Sequence, residues 1–279
     1  MKKTLLLLTT IFVFASCEKK NATVPSAAEK SQTPAQNPDT DFISFSDEAN
    51  GVSVGYKKSP ADSRNIQIDV QKNGEKIQTI SFSYPDDCFE NAVLFDKNVV
   101  FEDLNFDGFK DMRIFLGSYG NQGVEYWQFF LWNEKNSRFE EDESFGKGAL
   151  YEQIPNPKPN AGEKCVVGFS RENAAYHNYF IFEFANGKFE LTHLLHEATI
   201  FDIFQLYEIE IPENAQADQT KQMLELLGLS PDLEINANET LFYAEEHFEN
   251  GKRTIEKPAL RPSERFCKAF GWKESDFGN

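Results

Sequence analysis

No stretch of this sequence is long enough and apolar enough to cross a bilayer. The longest apolar run, Leu5 to Phe14, falls well short of the roughly 20 residues that a spanning helix needs. Basic residues are scarce: 28 Lys and Arg stand against 45 Asp and Glu, a formal charge of −17, which argues against a nucleic-acid-binding domain held by phosphate contacts. The chain has no GxSxG, P-loop or GxGxxG motif. It has no CxxC and no Cys/His spacing that suggests zinc, and only four His. Collagen and coiled-coil repeats are missing too. What is abundant is aromatic surface, 14% of residues with 27 Phe, which needs a core to bury it and excludes a disordered chain. The 279 residues leave room for one large domain, especially an all-β one.

Residues 1–17 read MKKTLLLLTTIFVFASC. Lys2 and Lys3 precede the apolar run, and small Ala15 and Ser16 precede Cys17. Phe14-Ala15-Ser16-Cys17 resembles a bacterial lipobox, in which a signal peptidase cuts before a diacylated cysteine. An ordinary secretory signal with a chance cysteine is the alternative. Acyl chains on Cys17 would anchor the protein to a membrane without spanning it. Residues 18–40 hold three Pro and one large apolar residue, Val24, the composition of a tether. A flexible chain of that length reaches roughly 25–30 Å. The expected organisation is therefore a signal peptide over 1–16, a lipidated Cys17 and tether over 17–40, and a folded domain over 41–279. Glu18-Lys19-Lys20 is not the acidic run that marks some surface-exported lipoproteins, so the periplasmic side of the outer membrane is the expected location. Loss of residues 1–16 removes two positive charges and no negative ones, so the mature charge becomes −19.

Lipidation of Cys17 leaves Cys88, Cys165 and Cys267, an odd number. The compartment permits one disulfide, and the sequence does not choose its pair.

From residue 41 onward, short segments rich in Phe, Tyr, Ile and Val alternate with turn signals. Asn65 to Val70, Ile77 to Tyr84, Val99 to Leu104, Met112 to Gly117, Tyr126 to Trp132, Lys164 to Ser170 and Tyr179 to Phe184 read as strands. Asn73-Gly74, Asn186-Gly187 and Asn250-Gly251 suit two-residue type I′ turns, and Asn136-Ser137 matches less well. Their spacing approaches that of four-stranded propeller blades. The expected fold is all-β, with propeller-like antiparallel sheets and two short peripheral helices, Ala215 to Leu227 and Ser263 to Phe270; a β-sandwich is the alternative. Pro155 to Gly162 reads as a loop between two blades or subdomains.

One motif carries chemistry. Asp103-x-Asn105-x-Asp107-Gly108-x-x-Asp111 places oxygen side chains at positions 1, 3, 5 and 9 of a loop, with Gly at 6. A hard cation such as Ca2+ takes six to eight oxygens, and the carbonyl of Phe109 supplies another. Position 12 is Ile114, which has no side-chain oxygen, so this is half of an EF-hand loop set between strands. Crowded carboxylates repel one another unless a cation neutralises them. The expected metal residues are Asp103, Asn105, Asp107, Phe109 and Asp111.

This loop, then Gly117-Ser118-Tyr119-Gly120-Asn121, then the aromatic segment Tyr126 to Asn133 and Phe139, resembles a group of Gram-negative, calcium-binding periplasmic lipoproteins. Their members include immunity proteins that inhibit secreted peptidoglycan hydrolases, similar to inhibitors of invertebrate-type lysozyme. The resemblance spans residues 99–139. It implies a propeller-like fold, a bound Ca2+, a hydrolase as protein partner and no chemistry by this chain itself. Such inhibitors insert a Ser/Gly/Tyr loop into the hydrolase cleft, and Ser118 and Tyr119 are the nearest match. The order of residues differs from theirs. An acidic protein would also attract cationic wall hydrolases over distance. An envelope glycosidase, or a structural or adhesive protein with no hydrolase partner, is the alternative.

Other clusters invite blander readings. His193 and His196 lie in a strand-like run, where residues three apart point to opposite faces, which argues against zinc there. Glu140-Glu141-Asp142-Glu143 and Glu245-Glu246 read as solvated hairpin edges. Tyr126, Trp127, Phe129, Phe130 and Trp132 read as a strand covered on both faces.

Overall fold

The structure, a computed structural model, describes residues 43–47, 50–58, 65–83, 99–119, 123–145, 153–209 and 219–277. The signal, Cys17, the tether and Cys88 lie outside them. All the described residues belong to one compact unit, Pro38–Asn279.

The unit is all-β, built from three antiparallel meanders that follow one another along the chain. The first sheet holds β1 (Ile43–Asp47), β2 (Val52–Lys58), β3 (Asn65–Lys72) and β4 (Glu75–Ser83). The second holds β5 (Val99–Glu102), β6 (Asp111–Tyr119), β7 (Val124–Asn133) and β8 (Arg138–Glu141). The third has six strands: β9 (Lys158–Asn160), β10 (Cys165–Arg171), β11 (His177–Ala185), β12 (Lys188–Thr199), β13 (Leu241–Glu249) and β14 (Lys252–Ile255). Asn-Gly pairs make three of the hairpins, with both residues at positive φ: Asn73 and Gly74, Asn186 and Gly187, Asn250 and Gly251. At Asn136-Ser137 only Ser137 has positive φ, and the turn is four residues long, which is why that pair matched less well.

The alternation of side chains along each strand builds the layers. Val52, Val54, Ile68, Val70 and Ile80 of the first sheet pack on Val99, Met112, Ile114, Phe130, Trp132 and Phe139 of the second. The opposite face of the second sheet, with Phe129, Trp127 and Leu131, packs on Val166, Phe180, Phe182, Phe189 and Leu194 of the third. Neighbouring aromatics of β7 thus enter two different cores, as a strand covered on both faces requires. The result is a layered stack of blade-sized sheets, and among the described residues no barrel closes.

Among the described residues three α-helices pack on the third sheet, where the sequence predicts two. α1 (Ile200–Leu206) was not foreseen. Its Phe- and Ile-rich sequence continues β12 without a break in composition, but Thr199 caps it, accepting from the Asp202 N–H. α2 (Gln219–Leu226) falls within the expected Ala215 to Leu227. α3 (Glu264–Phe270) starts after Ser263 and ends at Gly271 in the left-handed conformation, as its sequence predicts. The first two cover Ala198, Phe242 and Ala244, and α3 covers Cys165, Val167, Ile181 and Leu195 on the opposite face. Pro155 to Gly162 is not all loop. Lys158–Asn160 forms an edge strand in which Pro159 loses no necessary N–H, and the segment does introduce the third sheet. Cys165 is buried and Cys267 half-buried, and both are free thiols.

Candidate functional site

The Asp103–Asp111 loop joins β5 to β6 at one end of the middle sheet. Its apolar residues anchor it to both cores. Leu104, fully buried, and Phe106 pack between the second and third sheets, while Phe109 packs between the first and second. Phe106 and Gly108 take positive φ (64° and 94°), and at Gly108 a side chain would be strained although space is open. Ile114 is fully buried in the first core and is no substitute for a twelfth-position ligand.

The polar residues between these anchors turn their oxygens onto the loop itself. Asp103 accepts the Asp107 and Gly108 N–H groups at 3.2 and 3.0 Å. Asn105 Oδ1 accepts the Asp107 N–H at 3.1 Å, and Asn105 Nδ2 donates to Asp107 Oδ2 at 3.1 Å. Asp107 Oδ1 accepts the Phe109 N–H at 2.9 Å.

Asp111 differs from the rest because it is fully buried. Its Oδ2 accepts from Leu104 N–H (2.8 Å) and Asn105 N–H (3.3 Å), and its Oδ1 from Trp132 N–H (2.7 Å). Burial pushes its carboxyl up to about 7, since the three N–H donors only partly offset the lost hydration. Asp111 thus fixes the start of the loop to the C-terminal end of β7. The donor chemistry of the loop is all oxygen and so suits a hard cation. The three aspartates do not draw their carboxylate oxygens within 4.8 Å of one another; among the described residues the group of His, Cys and carboxylates that does so is Glu245, His247 and Glu256.

Ser118 and Tyr119 sit at the far end of β6 from this loop. Ser118 pairs with Glu125 and Tyr119 with Val124, so both are the last rungs of a hairpin whose tip, 120–122, lies outside the described residues. Gly117 (φ 150°) follows an irregularity in the pairing, where the ladder skips Leu116. Eight strand steps separate Asp111 from Tyr119, about 26 Å. A cation in the loop would therefore not touch the hairpin end.

Beside that hairpin end lies a cavity of about 350 Å³, lined by Val124, Asn156, Phe169, Arg171, His177, Tyr179 and Glu197. Glu197 Oε2 contacts His177 Nδ1 at 2.5 Å and accepts from Tyr179 Oη at 2.9 Å, while its Oε1 accepts from Tyr243 Oη at 2.8 Å. Burial and the neighbouring Glu197 push both tyrosines up, so they stay neutral donors. Sequence reading missed this group. Its signal was alternation alone: His177 and Tyr179 share one face of β11, and Glu197 pairs with His177 across the ladder.

His193 and His196 do point to opposite faces. His193 packs edge-on against His247, while His196 contacts Tyr176, Asn178 and Glu246. The acidic pairs correct the sequence reading. Glu245 and Glu246 are buried, not solvated, because Glu245 accepts the Ser263 N–H and Glu246 meets His196 and Arg253. Asp142 is buried as well, and accepts from Ser144 Oγ at 2.6 Å.

No protein family matches the sequence, and no curated protein does. Among solved structures, one described as the structure of a Xanthomonas type IV secretion system related protein aligns with a TM-score of 0.46 and 15% identity, over 80% of this chain and 96% of that chain.

Proposed function

We propose that this chain is a lipid-anchored, calcium-stabilised envelope protein that binds and inhibits a peptidoglycan hydrolase of the lysozyme kind, and catalyses nothing itself. The observation that carries the reading is the middle sheet. It is clamped on both faces, bears the Asp103–Asp111 loop at one end, and presents the β6–β7 hairpin with Ser118 and Tyr119 at the other. A wedge on a sheet so held loses little entropy when it enters a cleft. Ca2+ bound by Asp103, Asn105, Asp107, Asp111 and the Phe109 carbonyl would neutralise the loop carboxylates and favour the ionised form of Asp111, whose burial opposes it. Cys17 would hold the protein at the outer membrane, with its charge drawing cationic enzymes towards it.

The test is a panel of lysozymes and other muramidases passed over immobilised residues 41–279, with Ca2+ and with chelator. Tight binding that abolishes lysis is expected, weakened by Tyr119→Ala. Chelation is expected to lower the melting temperature. No binding to any muramidase would overturn the inhibitor reading, and an unchanged melt in chelator would overturn the calcium reading.

One second reading is an envelope glycosidase that would use this cavity, where hydroxyl donors hold the Glu197 carboxylate. Among the described residues Glu197 is its one lining carboxylate, and donors hold both its oxygens. Two opposed carboxylates are the usual requirement. Turnover of a glycan that disappears in Glu197→Gln would move the function to this cavity.

A further inference from the structure

On the face of the third sheet beneath α3, side-chain polarity is unevenly satisfied. Glu245 and His247 are two apart on β13, so they share that face. Glu256 follows β14 and returns beside them, its N–H donating to the Glu245 carbonyl at 2.8 Å. The donor atoms of Glu245, His247 and Glu256 all lie within 4.8 Å of one another. His247 Nε2 is 3.0 Å from Glu256 Oε1, yet the two are not aligned as a hydrogen bond.

Glu245 supplies a second, independent observation. Its residue is only 5% exposed, and although Oε1 accepts the Ser263 N–H at 2.5 Å, buried Oε2 has no partner. Ser263 Oγ, on that same neighbour, is buried without a partner too. A buried carboxylate oxygen left bare has given up its hydration without a replacement partner, so the arrangement calls for a positive group.

We propose that Glu245, His247 and Glu256 bind a divalent transition metal of the zinc class, separate from the Asp103–Asp111 loop. An imidazole with two carboxylates suits such an ion better than calcium, which prefers oxygen alone. Tetrahedral donors about 2.0–2.2 Å from zinc stand roughly 3.3–3.6 Å apart, so small side-chain rotations close the observed spacing. The His193 ring packs edge-on against His247, centroids 4.8 Å apart, and restrains that ligand. Glu256 is 57% exposed, which gives the ion a path from solvent and leaves a fourth position to water. The bound ion would tie the segment after β14 to β13 and, through Glu245 and Ser263, to the start of α3.

The experiment is a titration of the full chain with Zn2+ by calorimetry, and with Co2+ by visible absorption, in the presence of excess Ca2+. One equivalent is expected for the wild type and for Asp107→Ala, with a tetrahedral Co2+ spectrum. His247→Ala and Glu256→Gln should each weaken binding by more than about 10-fold, in line with the sensitivity of metal sites to their ligands. Glu256 is exposed, so its variant keeps the test open if His247→Ala fails to fold. Binding unchanged in a folded His247→Ala or Glu256→Gln variant, or no stoichiometric uptake by the wild type, would overturn the site.

Discussion

Asn50 and Lys110 pair across sixty residues as two rungs of a β-ladder do. Asn50 Nδ2 donates to the Lys110 carbonyl at 2.6 Å, and the Lys110 N–H donates to Asn50 Oδ1 at 3.0 Å. Gln78 does the same for Phe139, donating to its carbonyl at 2.7 Å and accepting its N–H at 2.9 Å. Asn156 joins the next pair of layers, accepting from Glu125 N–H and donating to the Phe169 carbonyl. Side-chain amides therefore stitch the stacked sheets where their strands do not pair.

These stitches set the first prediction. Asn50→Leu and Gln78→Leu each strand one backbone N–H and one C=O in a partly buried place. Each is expected to lower unfolding free energy by about 1–3 kcal/mol, measured by urea denaturation. A change within error in both would show that water replaces the amides. The Asn50 variant should also weaken calcium binding, since Lys110 belongs to the loop.

Gly168 is needed for space rather than for backbone freedom. A Cβ there would meet Ile154 Cγ2 at 2.9 Å and the Pro155 carbonyl oxygen at 3.0 Å. That carbonyl accepts the Phe169 N–H at 2.8 Å and cannot withdraw without loss. Gly168→Ala is expected to cost about 1–3 kcal/mol, as overpacked cores do. A melting temperature equal to the wild type would mean that Pro155 shifts freely.

Glu246 gives a pH dependence whose sign follows from its surroundings. Burial alone would raise its pKa, but the hydrogen bonds from His196 and Arg253 outweigh burial and hold it at about 2, below its ordinary 4.5. A depressed carboxyl stabilises the fold above its unfolded pKa, and that contribution is lost as pH falls from about 4.5 towards 2. Glu246→Gln should therefore be less stable than the wild type near neutrality, with the gap narrowing across that acid range. Thermal melts at stepped pH would reveal it. A constant gap would mean that the loss is one of packing.

How much of this was legible in the sequence depended on the range of the interaction. The Asn-Gly hairpins are local, and their strands fall where β-branched and aromatic runs stand. The oxygen-rich loop is local too, and its flanking strands follow from Val99 to Leu104, which the structure ends at Glu102, and from Met112 to Gly117. α1 was hidden because Ile200-Phe201-Asp202-Ile203-Phe204 has the composition of a strand, and only the Thr199 to Asp202 cap distinguishes it. The burial of Glu245 and Glu246 was not legible at all. Their partners, Ser263, His196 and Arg253, come from three separate elements, and consecutive acidic residues in isolation look like a solvated edge.

The separation of the loop from the hairpin end yields a prediction that divides the two halves of the proposed function. About 26 Å of β6 lies between Asp111 and Tyr119, so a cation at the loop acts on the hairpin only by keeping the middle sheet folded. Asp107→Ala removes a proposed ligand together with the acceptor of the Phe109 N–H. It should abolish the calcium-dependent rise in melting temperature. Well below that melt, it should leave hydrolase affinity within about threefold. Tyr119→Ala should do the reverse, with the calcium response kept and affinity reduced by at least 10-fold, as a truncated aromatic anchor costs more than about 1.4 kcal/mol. The two measurements are a thermal melt with and without Ca2+ and a binding isotherm at 10 °C. If Asp107→Ala instead abolished binding while the protein remained folded, the metal would belong to the recognition surface, and the hairpin would lose its place as the inhibitory element.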